Sequence, residues 1–394
     1  MIKNISIGID MGSQTIRIIV GEFLAGETSP KIIGAGEAPS MGMRHGYIVD
    51  QNATLIALKQ AIEATEKSSG VKIRRAFLSL SGMSLRSENS AGSTVVSKAN
   101  GEVTTLDINR ALQDCEDNLT LSNRKVIQSY PINFKLDGKD VLGRLEGMRG
   151  TKLEAKALFV TYSVQHLEDL LGVVAKAGVE TIDVIATPIA LSNLILSDKQ
   201  KIVGVALADI GAETTSLAVF ENGSLISMHS FQIGSSDITN DIALGFKIPL
   251  DKADALKTGS YPSLQSGAKE EFSKKKLEEI IEARLCDIFE SIENHLKKIK
   301  RAELLPAGVV FAGGGSNISK LVEMSKSTLK LPTSLGTTDI FGNAKTKLRD
   351  PAWFTAISLL IAGKDSDGYS ENSIGGLFKN IKSIVKSTIK QLMP

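Results

Sequence analysis

Apolar and polar positions follow the same pattern in two distant parts of the chain. Over residues 7–20, and again over 207–219, an apolar run reaches an Asp-x-Gly turn and a second apolar run follows directly. A glycine permits a tight corner between two strands, so each segment predicts a β-hairpin. Further strand and helix patterns follow in the same order, at 31–35 and 54–67 after the first hairpin and at 224–231 and 238–244 after the second. This internal repeat predicts an α/β chain with two similar lobes.

The corner of each predicted hairpin carries residues that suit a phosphate chain. A glycine lacks a Cβ, so the main-chain amides around it can approach phosphate oxygens, and a serine hydroxyl adds a donor. The corner residues expected to bind phosphate are Gly12, Ser13, Gln14, Gly211, Ala212, Glu213 and Thr214. One such turn also occurs in ordinary hairpins, but the matched pair favours a nucleotide held between two lobes.

An aspartate precedes the corner glycine in each hairpin. Asp10 and Asp209 cannot bind phosphate directly, because like charges repel. Carboxylates suit Mg²⁺, which usually keeps several of its own water molecules in proteins. We therefore expect the two aspartates to hold a hydrated Mg²⁺ between them, through water, beside a triphosphate.

A third glycine-rich segment follows the second hairpin, at residues 308–318. A buried strand pattern leads into consecutive glycines, and a helix is predicted to begin near Ser316. Glycines let a flat ring or a sugar approach the main chain. An ordinary strand-to-helix loop has a similar composition, but the place of this segment after the second hairpin favours the nucleotide interpretation. The residues assigned to the nucleotide here are Gly313, Gly314, Gly315 and Asn317.

Composition and charge exclude several classes of protein. The 46 Lys and Arg nearly balance the 44 Asp and Glu, for a net charge of +2, so a uniformly basic nucleic-acid-binding protein is not expected. Two cysteines, Cys115 and Cys286, and four histidines predict neither a disulfide framework nor a thiolate metal cluster. The start of the chain lacks an export signal, and its most apolar stretch, 179–196, is interrupted by polar residues. We therefore expect a cytosolic chain without a transmembrane helix.

The end of the chain predicts an amphipathic, cationic helix. A polar stretch at 364–375 predicts a flexible linker, and apolar residues then recur at helical spacing over 376–394 with lysines beside them. This arrangement is typical of a helix that lies in the headgroup plane of an anionic membrane. The residues assigned to the membrane are Leu377, Phe378, Lys379, Ile381, Lys382, Ile384, Val385, Lys386, Ile389, Lys390 and Leu392. The alternative is a helix docked on its own domain, although docked helices usually carry charges of both signs.

Three further segments carry motifs of a known family. The stretch 43–50 has a basic residue, glycine, an apolar residue and aspartate in the family's spacing, and 147–154 has the form Gly-Met-x-Gly-x-x-Leu-Glu. Between them, 80–92 begins Leu-Ser-Gly-Met and resembles the strand that leaves the first lobe. With both hairpins and the third glycine segment, in this order, the chain resembles the FtsA family of bacterial cell-division proteins, within the superfamily of actin, Hsp70 and sugar kinases. The resemblance implies an α/β, actin-like two-lobed ATPase fold with a relocated small α/β subdomain and a C-terminal amphipathic helix.

The resemblance also implies how the chain divides. The implied parts are a first-lobe core (1–84 and 163–193), an inserted small subdomain (85–162), a second-lobe core (194–228 and 306–363) and an upper second-lobe part (229–305). Within the insertion, the residue pattern predicts a strand at 93–98, a helix at 107–119, and strands at 126–134 and 155–161.

The resemblance implies a structural protein of cell division rather than a metabolic enzyme. Such a protein would bind ATP and Mg²⁺, polymerise into actin-like filaments, and tether the tubulin-like protein FtsZ to the cytoplasmic face of the cell membrane at the division site. The resemblance further implies that Lys257, Glu282 and Arg284 approach the ribose and adenine. Other division proteins would bind through the inserted subdomain.

A basic cluster ends a predicted helix over 273–300. By the resemblance, this lobe receives the C-terminal peptide of FtsZ, and the cluster is a candidate socket for it. Its members are Lys297, Lys298, Lys300 and Arg301. The alternative role of these cations is a favourable interaction with the helix dipole.

Two departures from the family pattern bear on the nucleotide. The second corner has Ala212 and Glu213 where most relatives have glycines. A glutamate there would repel a triphosphate unless it points away or meets the metal. The segment that joins the lobes, 187–197, contains no carboxylate to orient an attacking water, so we expect slow or negligible ATP hydrolysis.

Two other functions fit the same superfamily. Type IV pilus assembly proteins also have an Asp-x-Gly-Ala turn, so a pilus assembly scaffold is the first alternative. A small-molecule kinase is the second, but the sequence shows no acceptor pocket with a positioned general base. Neither alternative requires a cationic amphipathic tail.

Overall fold

The computed structural model describes residues 4–24, 29–141, 143–261, 272–341 and 346–364. The strands are β1 (Asn4–Met11), β2 (Thr15–Phe23), β3 (Lys31–Pro39), β4 (Met43–Arg44), β5 (Tyr47–Ile48), β6 (Arg75–Leu80), β7 (Arg86–Val95), β8 (Arg124–Leu136), β9 (Lys139–Asp140), β10 (Lys152–Ser163), β11 (Glu180–Ala186), β12 (Val205–Ile210), β13 (Thr215–Glu221), β14 (Ser224–Phe231), β15 (Val309–Ala312) and β16 (Thr333–Leu335). The helices are α1 (Gln51–Ser69), α2 (Thr105–Asp117), α3 (Val164–Lys176), α4 (Thr187–Ile195), α5 (Asp198–Val203), α6 (Ser235–Phe246), α7 (Leu250–Lys257), α8 (Lys274–Lys298), α9 (Leu321–Leu329) and α10 (Phe354–Lys364).

Two five-stranded sheets have the same strand order and the same directions. The first is β11-β6-β1-β2-β3, and the second, written in the same sense, is β16-β15-β12-β13-β14. In each sheet, three consecutive strands form an antiparallel meander. A fourth strand pairs in parallel with the first strand of that meander, and the fifth strand pairs in parallel with the fourth. Both predicted hairpins and the internal repeat are therefore confirmed, since the chain builds one sheet topology twice.

Helix α1 shows how local sequence sets the ends of an element. The side chain of Asp50 accepts hydrogen bonds from the amides of Asn52 and Ala53, at 2.9 and 3.0 Å, and so caps the helix. At the other end, Gly70 has φ 71°, a left-handed conformation that ends a helix at little cost when the residue is glycine. The observed helix contains the predicted range 54–67 and extends it by about one turn at the N-terminus.

The inserted segment forms a sheet of its own, in the order β7-β10-β8-β9, with α2 packed on one face. The predicted strand at 93–98 was wrong in position, because β7 runs from Arg86 to Val95 and pairs with β10 along this whole length. Its residues are mostly polar and small, so the strand has no clear apolar alternation. The pairing partner β10, rather than the periodicity of β7, decides where this strand lies.

Helix α10 packs on the first sheet, although the sequence places it at the end of the second-lobe range 306–363. Its backbone lies so close to β1 that a Cβ added at Gly8 would be 2.5 Å from the carbonyl oxygen of Ala356. Phe354, Ile357 and Leu360 are buried in the cluster that also contains β1 and β2. A helix that is apolar on several faces needs cover on more than one side. The assignment of this helix to the second lobe was therefore wrong.

The third glycine segment differs from its predicted form. The helix expected to begin near Ser316 is a single 3-10 turn over Gly314–Asn317, and α9 begins only at Leu321. The Ser316 hydroxyl donates to the Gly313 carbonyl at 2.7 Å, and Lys320 has φ 64°, so the backbone does not continue as one helix. The long helix predicted at 273–300 is confirmed as α8.

The predicted tail lies outside the described residues. Helix α10 extends to Lys364, the first residue of the predicted linker 364–375. All of the predicted amphipathic helix over 376–394 falls beyond this point. Within the described ranges, none of the helices combines the length and the apolar composition that crossing a membrane requires.

Candidate functional site

Asp10 and Asp209 lie near the ends of β1 and β12, the strands that adjoin a parallel neighbour in each sheet. Burial and the negative charge of Asp10 raise the pKa of Asp209 to about 7. Burial also raises the pKa of Asp10, while the Ser79 hydroxyl, which donates to Asp10 Oδ1 at 2.7 Å, and the charge of Arg17 oppose that rise. Each pKa shift reflects carboxylates that lack full solvation, so a cation between them would relieve both.

The donor set at this point suits a hydrated magnesium ion. Among the described residues, no group of three or more His, Cys, Asp or Glu could hold a metal directly. A pair of neighbouring carboxylates matches a cation that keeps most of its water molecules, which is the behaviour of Mg²⁺. The residues therefore fit the predicted contact through water, with Asp10 and Asp209 as its acceptors.

The two hairpin corners have nearly the same backbone shape. A Cβ added at Gly12 would lie 2.7 Å from the Thr15 carbonyl oxygen, and one added at Gly211 would lie 3.0 Å from that of Thr214. The Gly211 amide donates to the same Thr214 oxygen at 2.9 Å, which closes the second corner. Glycine is needed at both positions because the chain doubles back on itself there.

A short hairpin of the first lobe, β4–β5, joins the two corners. Its turn places the His45 and Gly46 amides next to one another, and these residues have φ values of 49° and 81°. The Gly46 amide donates to Ser13 Oγ at 3.1 Å, and the His45 amide donates to Glu213 Oε2. Each corner therefore sends one side chain to the same turn. The carboxylate of Glu213 is directed to a main-chain donor across the cleft, which is one of the two arrangements expected to limit its repulsion of a phosphate.

The third glycine segment packs directly on the second corner. Gly313 has φ 80°, and a Cβ added there would lie 2.4 Å from Asp209 Oδ1 and 2.5 Å from the Ile210 carbonyl oxygen. This contact brings the assigned glycines to Asp209, one of the two carboxylates predicted to hold the magnesium ion through water. Asn317 instead donates its amide to Asp350 Oδ1 at 2.9 Å, and so holds the 3-10 turn to the segment before α10.

Three residues expected near ribose and adenine are engaged with neighbouring side chains of the second lobe. The pairs are Lys257 with Asp254 at 2.8 Å, Arg284 with Asp241 at 2.7 Å and Glu282 with Lys320 at 3.0 Å. These contacts tie Lys257 to its own helix α7, and α8 to α6 and to the residue before α9. They give each residue a structural role, and the contact with a nucleotide stays a prediction.

The basic cluster at the end of α8 does not face a single point. The contacts are Lys297 with Glu293 at 2.8 Å, and Arg301 with Glu221 at 2.7 Å. Lys298 lies instead beside His229 and His295, whose pKa values its charge helps to lower. Lys300 is exposed, with φ 58°. The proposed peptide socket therefore remains a prediction, and two of its cations already have carboxylate partners.

Sequence reasoning missed two contacts of the site. Ser79 reaches Asp10 only because β6 pairs in parallel with β1, and nothing near Ser79 marks it as a polar partner. His45 and Gly46 belong to the family-like stretch 43–50, which was a signal for their importance but not for their contact with both corners.

Comparison with family models identifies two parts of the chain. A model described as "Cell division protein FtsA" matches residues 206–358, and one described as "SHS2 domain inserted in FTSA" matches residues 82–161. Together they cover more than half of the chain. The second match nearly coincides with the small subdomain that the sequence placed at 85–162.

Relatives match over nearly the whole length. "Cell division protein FtsA" of Pseudomonas aeruginosa is 28% identical over 391 residues, covering 95% of this chain and 93% of its own. The protein of the same name from Streptococcus pneumoniae is 29% identical over 417 residues, covering 98% and 90%. That of Bacillus subtilis is 28% identical, covering 90% and 82%.

Solved structures share the fold at low sequence identity. The "PilM-PilN type IV pilus biogenesis complex" has a TM-score of 0.66 at 16% identity, covering 91% of this chain and 98% of its own. MreB5 of Spiroplasma citri, described as bound to ADP, has a TM-score of 0.52 at 14% identity, covering 96% and 99%. These likenesses confirm the actin-like, two-lobed α/β fold. Both family models and the relatives matched over nearly the whole length carry one name, and the chain belongs to the FtsA family of cell division proteins.

Proposed function

We propose that this chain binds ATP and Mg²⁺ between its two lobes and assembles into actin-like filaments that tether FtsZ to the membrane at the division site. The observation that carries the nucleotide proposal is the duplicated sheet, which brings Asp10 and Asp209 close enough for one to raise the pKa of the other. MreB5 of Spiroplasma citri, which shares the fold, is bound to ADP in its solved structure, and this supports an adenine nucleotide as the ligand.

Different residues of the site would contact different parts of the nucleotide and its metal ion. Amides of Gly12, Ser13 and Gln14, and those of residues 212–214, would donate to the phosphates, while Gly211 lets the main chain approach them. Asp10 and Asp209 would orient the Mg²⁺ through its water molecules, and this ion would offset charge on the phosphates. Gly313–Gly315 would lie against the nucleoside. Helix α4 at the lobe junction carries no carboxylate, so ATP would act chiefly as a conformational ligand with slow or negligible hydrolysis.

Nucleotide binding is tested by replacing a corner glycine. Gly12→Asp would place a carboxylate where a Cβ already meets the Thr15 carbonyl, and its charge would repel a phosphate chain. Mg²⁺–ATP should raise the Tm of the parent chain and leave that of the variant unchanged. Gly172→Asp is the matched control, because a Cβ at Gly172 meets nothing within 4 Å. Equal protection by ATP in the Gly12 variant would remove the first corner from the site.

The membrane proposal rests on the residue pattern of 376–394. Apolar side chains on one helical face bury their area in the lipid, and lysines beside them add about 1 kcal/mol each near an anionic surface. Filaments would multiply this weak, reversible binding through avidity. The protein would then act from the cytoplasmic face of the membrane as a peripheral protein.

Lipid binding and assembly are tested together by electron microscopy on anionic lipid monolayers with ATP. The parent chain should form filaments that recruit an FtsZ C-terminal peptide, and Ile381→Glu with Ile384→Glu should remove the protein from the lipid. Ser383→Glu with Ser387→Glu is the control, because it adds the same charge on the polar face of the predicted helix. If both pairs of substitutions released the protein equally, charge alone would explain binding and the apolar face would lose its assigned role.

The FtsZ peptide has two candidate surfaces on the second lobe. One is the basic cluster, of which Lys298 and Lys300 have no described carboxylate partner. The other is the surface of α6 and α7, where Leu244 and Leu250 are 77% and 57% exposed. We propose the basic cluster as the socket. Loss of peptide binding in Lys298→Glu with Lys300→Glu, but not in Leu244→Ser, would support it, and the reverse result would move the site to α6 and α7.

A further inference from the structure

Two histidines lie stacked where the inserted subdomain meets the second lobe. The rings of His229 in β14 and His295 in α8 have centroids 5.0 Å apart and planes 12° apart. Ser227 Oγ lies 2.8 Å from His295 Nε2 and helps to fix the orientation of that ring. Both histidines are partly exposed, so a small ligand can reach them from solvent.

A serine of the inserted subdomain is hydrogen-bonded to the strand that carries His229. The Ser87 hydroxyl donates to the Met228 carbonyl at 2.8 Å and accepts from the Met228 amide at 2.9 Å. Arg86 precedes Ser87 in β7, and its charge is close enough to His229 to help lower the pKa of that imidazole. Lys298 joins from α8, one turn after His295. These four residues, Arg86, His229, His295 and Lys298, are called the seam cluster below.

The cations of the seam cluster have no ion-pair partner among the described residues. In the part of the chain that the structure describes, neither Arg86 nor Lys298 forms an ion pair, whereas the adjacent Lys297 contacts Glu293 at 2.8 Å. Glu88, two residues along β7, forms an ion pair with Arg124 at 3.8 Å.

Burial and the nearby positive charges lower the pKa values of both histidines. Burial, then the charges of Lys298 and Arg86, lower the pKa of His229. Burial, then His229 and Lys298, lower the pKa of His295 to about 4. Both imidazoles are therefore neutral near pH 7, and a bound anion would raise their pKa values again.

We propose that the seam cluster binds a phosphate group, which joins the inserted subdomain to the second lobe. Three different elements supply its donors: a guanidinium from β7, an imidazole from β14, and an imidazole and an ammonium from α8. Donors supplied by several elements match a tetrahedral group with several acceptor oxygens better than a planar carboxylate. The dianion would also offset the mutual repulsion of the two cations. The site is separate from the nucleotide cleft and does not depend on ATP binding, and it shares Lys298 with the proposed FtsZ socket.

The phosphate group could come from a soluble phosphate or from a lipid headgroup, and one experiment separates these sources. The chain has four histidines, His45, His166, His229 and His295, so NMR titration of the imidazole signals in the full-length protein is practicable. The titration is run in chloride, acetate, inorganic phosphate, and short-chain phosphatidylglycerol kept below its micelle concentration, all at equal ionic strength. His229→Gln and His295→Gln assign the two signals.

Phosphate should raise the pKa of His229 and of His295 by about one unit relative to chloride. A rise with inorganic phosphate identifies a soluble source, and a rise with the lipid alone identifies a headgroup. No rise with either, or an equal rise in acetate, would overturn the proposal.

Substitutions of the cations complete the test. Arg86→Ala and Lys298→Ala should each abolish most of the phosphate-induced shift, because each removes a donor from a different side of the group. Lys297→Ala is the matched control, since Lys297 is the neighbouring residue of the same helix and is already paired with Glu293. Unchanged shifts in both cation variants, at a Tm equal to that of the parent chain, would also overturn the assignment.

Discussion

The two hairpin corners share a backbone and differ in what surrounds their carboxylates. On the first sheet, the neighbouring strand β6 supplies Ser79, whose hydroxyl donates to Asp10 at 2.7 Å. On the second sheet, the residue of β15 opposite Asp209 is Ala312, which has no donor to offer. The pKa of Asp209 rises to about 7, through burial and the charge of Asp10. The duplicated topology thus sets where each carboxylate lies, and the adjacent parallel strand sets how its charge is supported.

The corners also differ in the side chain that each sends to the β4–β5 turn. Ser13 meets the Gly46 amide with a neutral hydroxyl, and Glu213 meets the His45 amide with a carboxylate. A charged acceptor makes a stronger hydrogen bond than a neutral one, but its charge lies near the proposed phosphate position. The second corner therefore brings an additional carboxylate to the turn, whereas the first corner brings a neutral hydroxyl.

The largest effect is expected where the second corner meets the third glycine segment. Gly313→Ala should lower the free energy of unfolding by about 3 kcal/mol, because φ 80° disfavours a Cβ and that atom would meet Asp209 at 2.4 Å. Gly314→Ala is the control, since its nearest contact is the Ala352 Cβ at 3.5 Å. Chemical denaturation of both variants measures the difference. Equal stability of the two would show that the contact at Gly313 is relaxed in solution.

The two corners should differ in how the free energy of unfolding changes with pH when their carboxylates are removed. The folded pKa of Asp209, about 7, lies above the ordinary value, so the folded chain takes up a proton that the unfolded chain lacks. The stability from this group is present at low pH and is lost as the pH rises through about 7. Asp209→Asn should therefore stabilise the nucleotide-free chain by about 2 kcal/mol at pH 8 and hardly at all at pH 4.

Asp10→Asn is the comparison, and its gain should be smaller because Ser79 and Arg17 already favour the charged form of Asp10. Both variants should lose Mg²⁺–ATP binding by calorimetry. A larger stabilisation from Asp10→Asn than from Asp209→Asn would reverse the assignment of the more strained carboxylate.

Substitutions at Ser79 and at Ala312, which lie beside the two aspartates in the neighbouring strands, test why the pKa values of Asp10 and Asp209 differ. Ser79→Ala should raise the pKa of Asp10 and cost about 1 kcal/mol, because it removes a buried hydrogen bond. Ala312→Ser should give Asp209 a hydroxyl donor and lower its pKa toward the ordinary range. Unfolding measured between pH 5 and pH 8 reports both changes. If Ala312→Ser left the pH dependence unchanged, the fully buried site of Ala312 would not place a hydroxyl toward Asp209.

The smallest effect is expected at the contact between the corners and the turn. Glu213→Ala removes the acceptor of the His45 amide, so that amide should exchange with solvent about five-fold faster, which corresponds to about 1 kcal/mol. Glu213→Gln keeps an acceptor without the charge, and should retain slow exchange while binding ATP more tightly than the parent chain. Equal ATP affinities of Glu213→Gln and the parent would show that the carboxylate does not act on the phosphates.

Local patterns predicted the parts of the fold that depend on near neighbours in the chain. The two hairpins, helix α1 and helix α8 all have strong periodicity, and each lies close to its predicted range. The polar strand β7 has no such periodicity, and its true extent follows from pairing with β10. Helix α9 also begins later than expected, because Lys320 adopts a left-handed conformation that composition does not reveal.

The sequence by itself determined the repeat, the two aspartates, the glycine corners and the order of the segments, because these depend on residue type and on spacing along the chain. The tertiary structure alone decided which residues support each carboxylate, that α10 returns to the first sheet, and that Arg86 lies near enough to His229 to lower its pKa. Those contacts join residues far apart in the chain. Their geometry comes from how the sheets and the inserted subdomain pack, and no local periodicity encodes that packing.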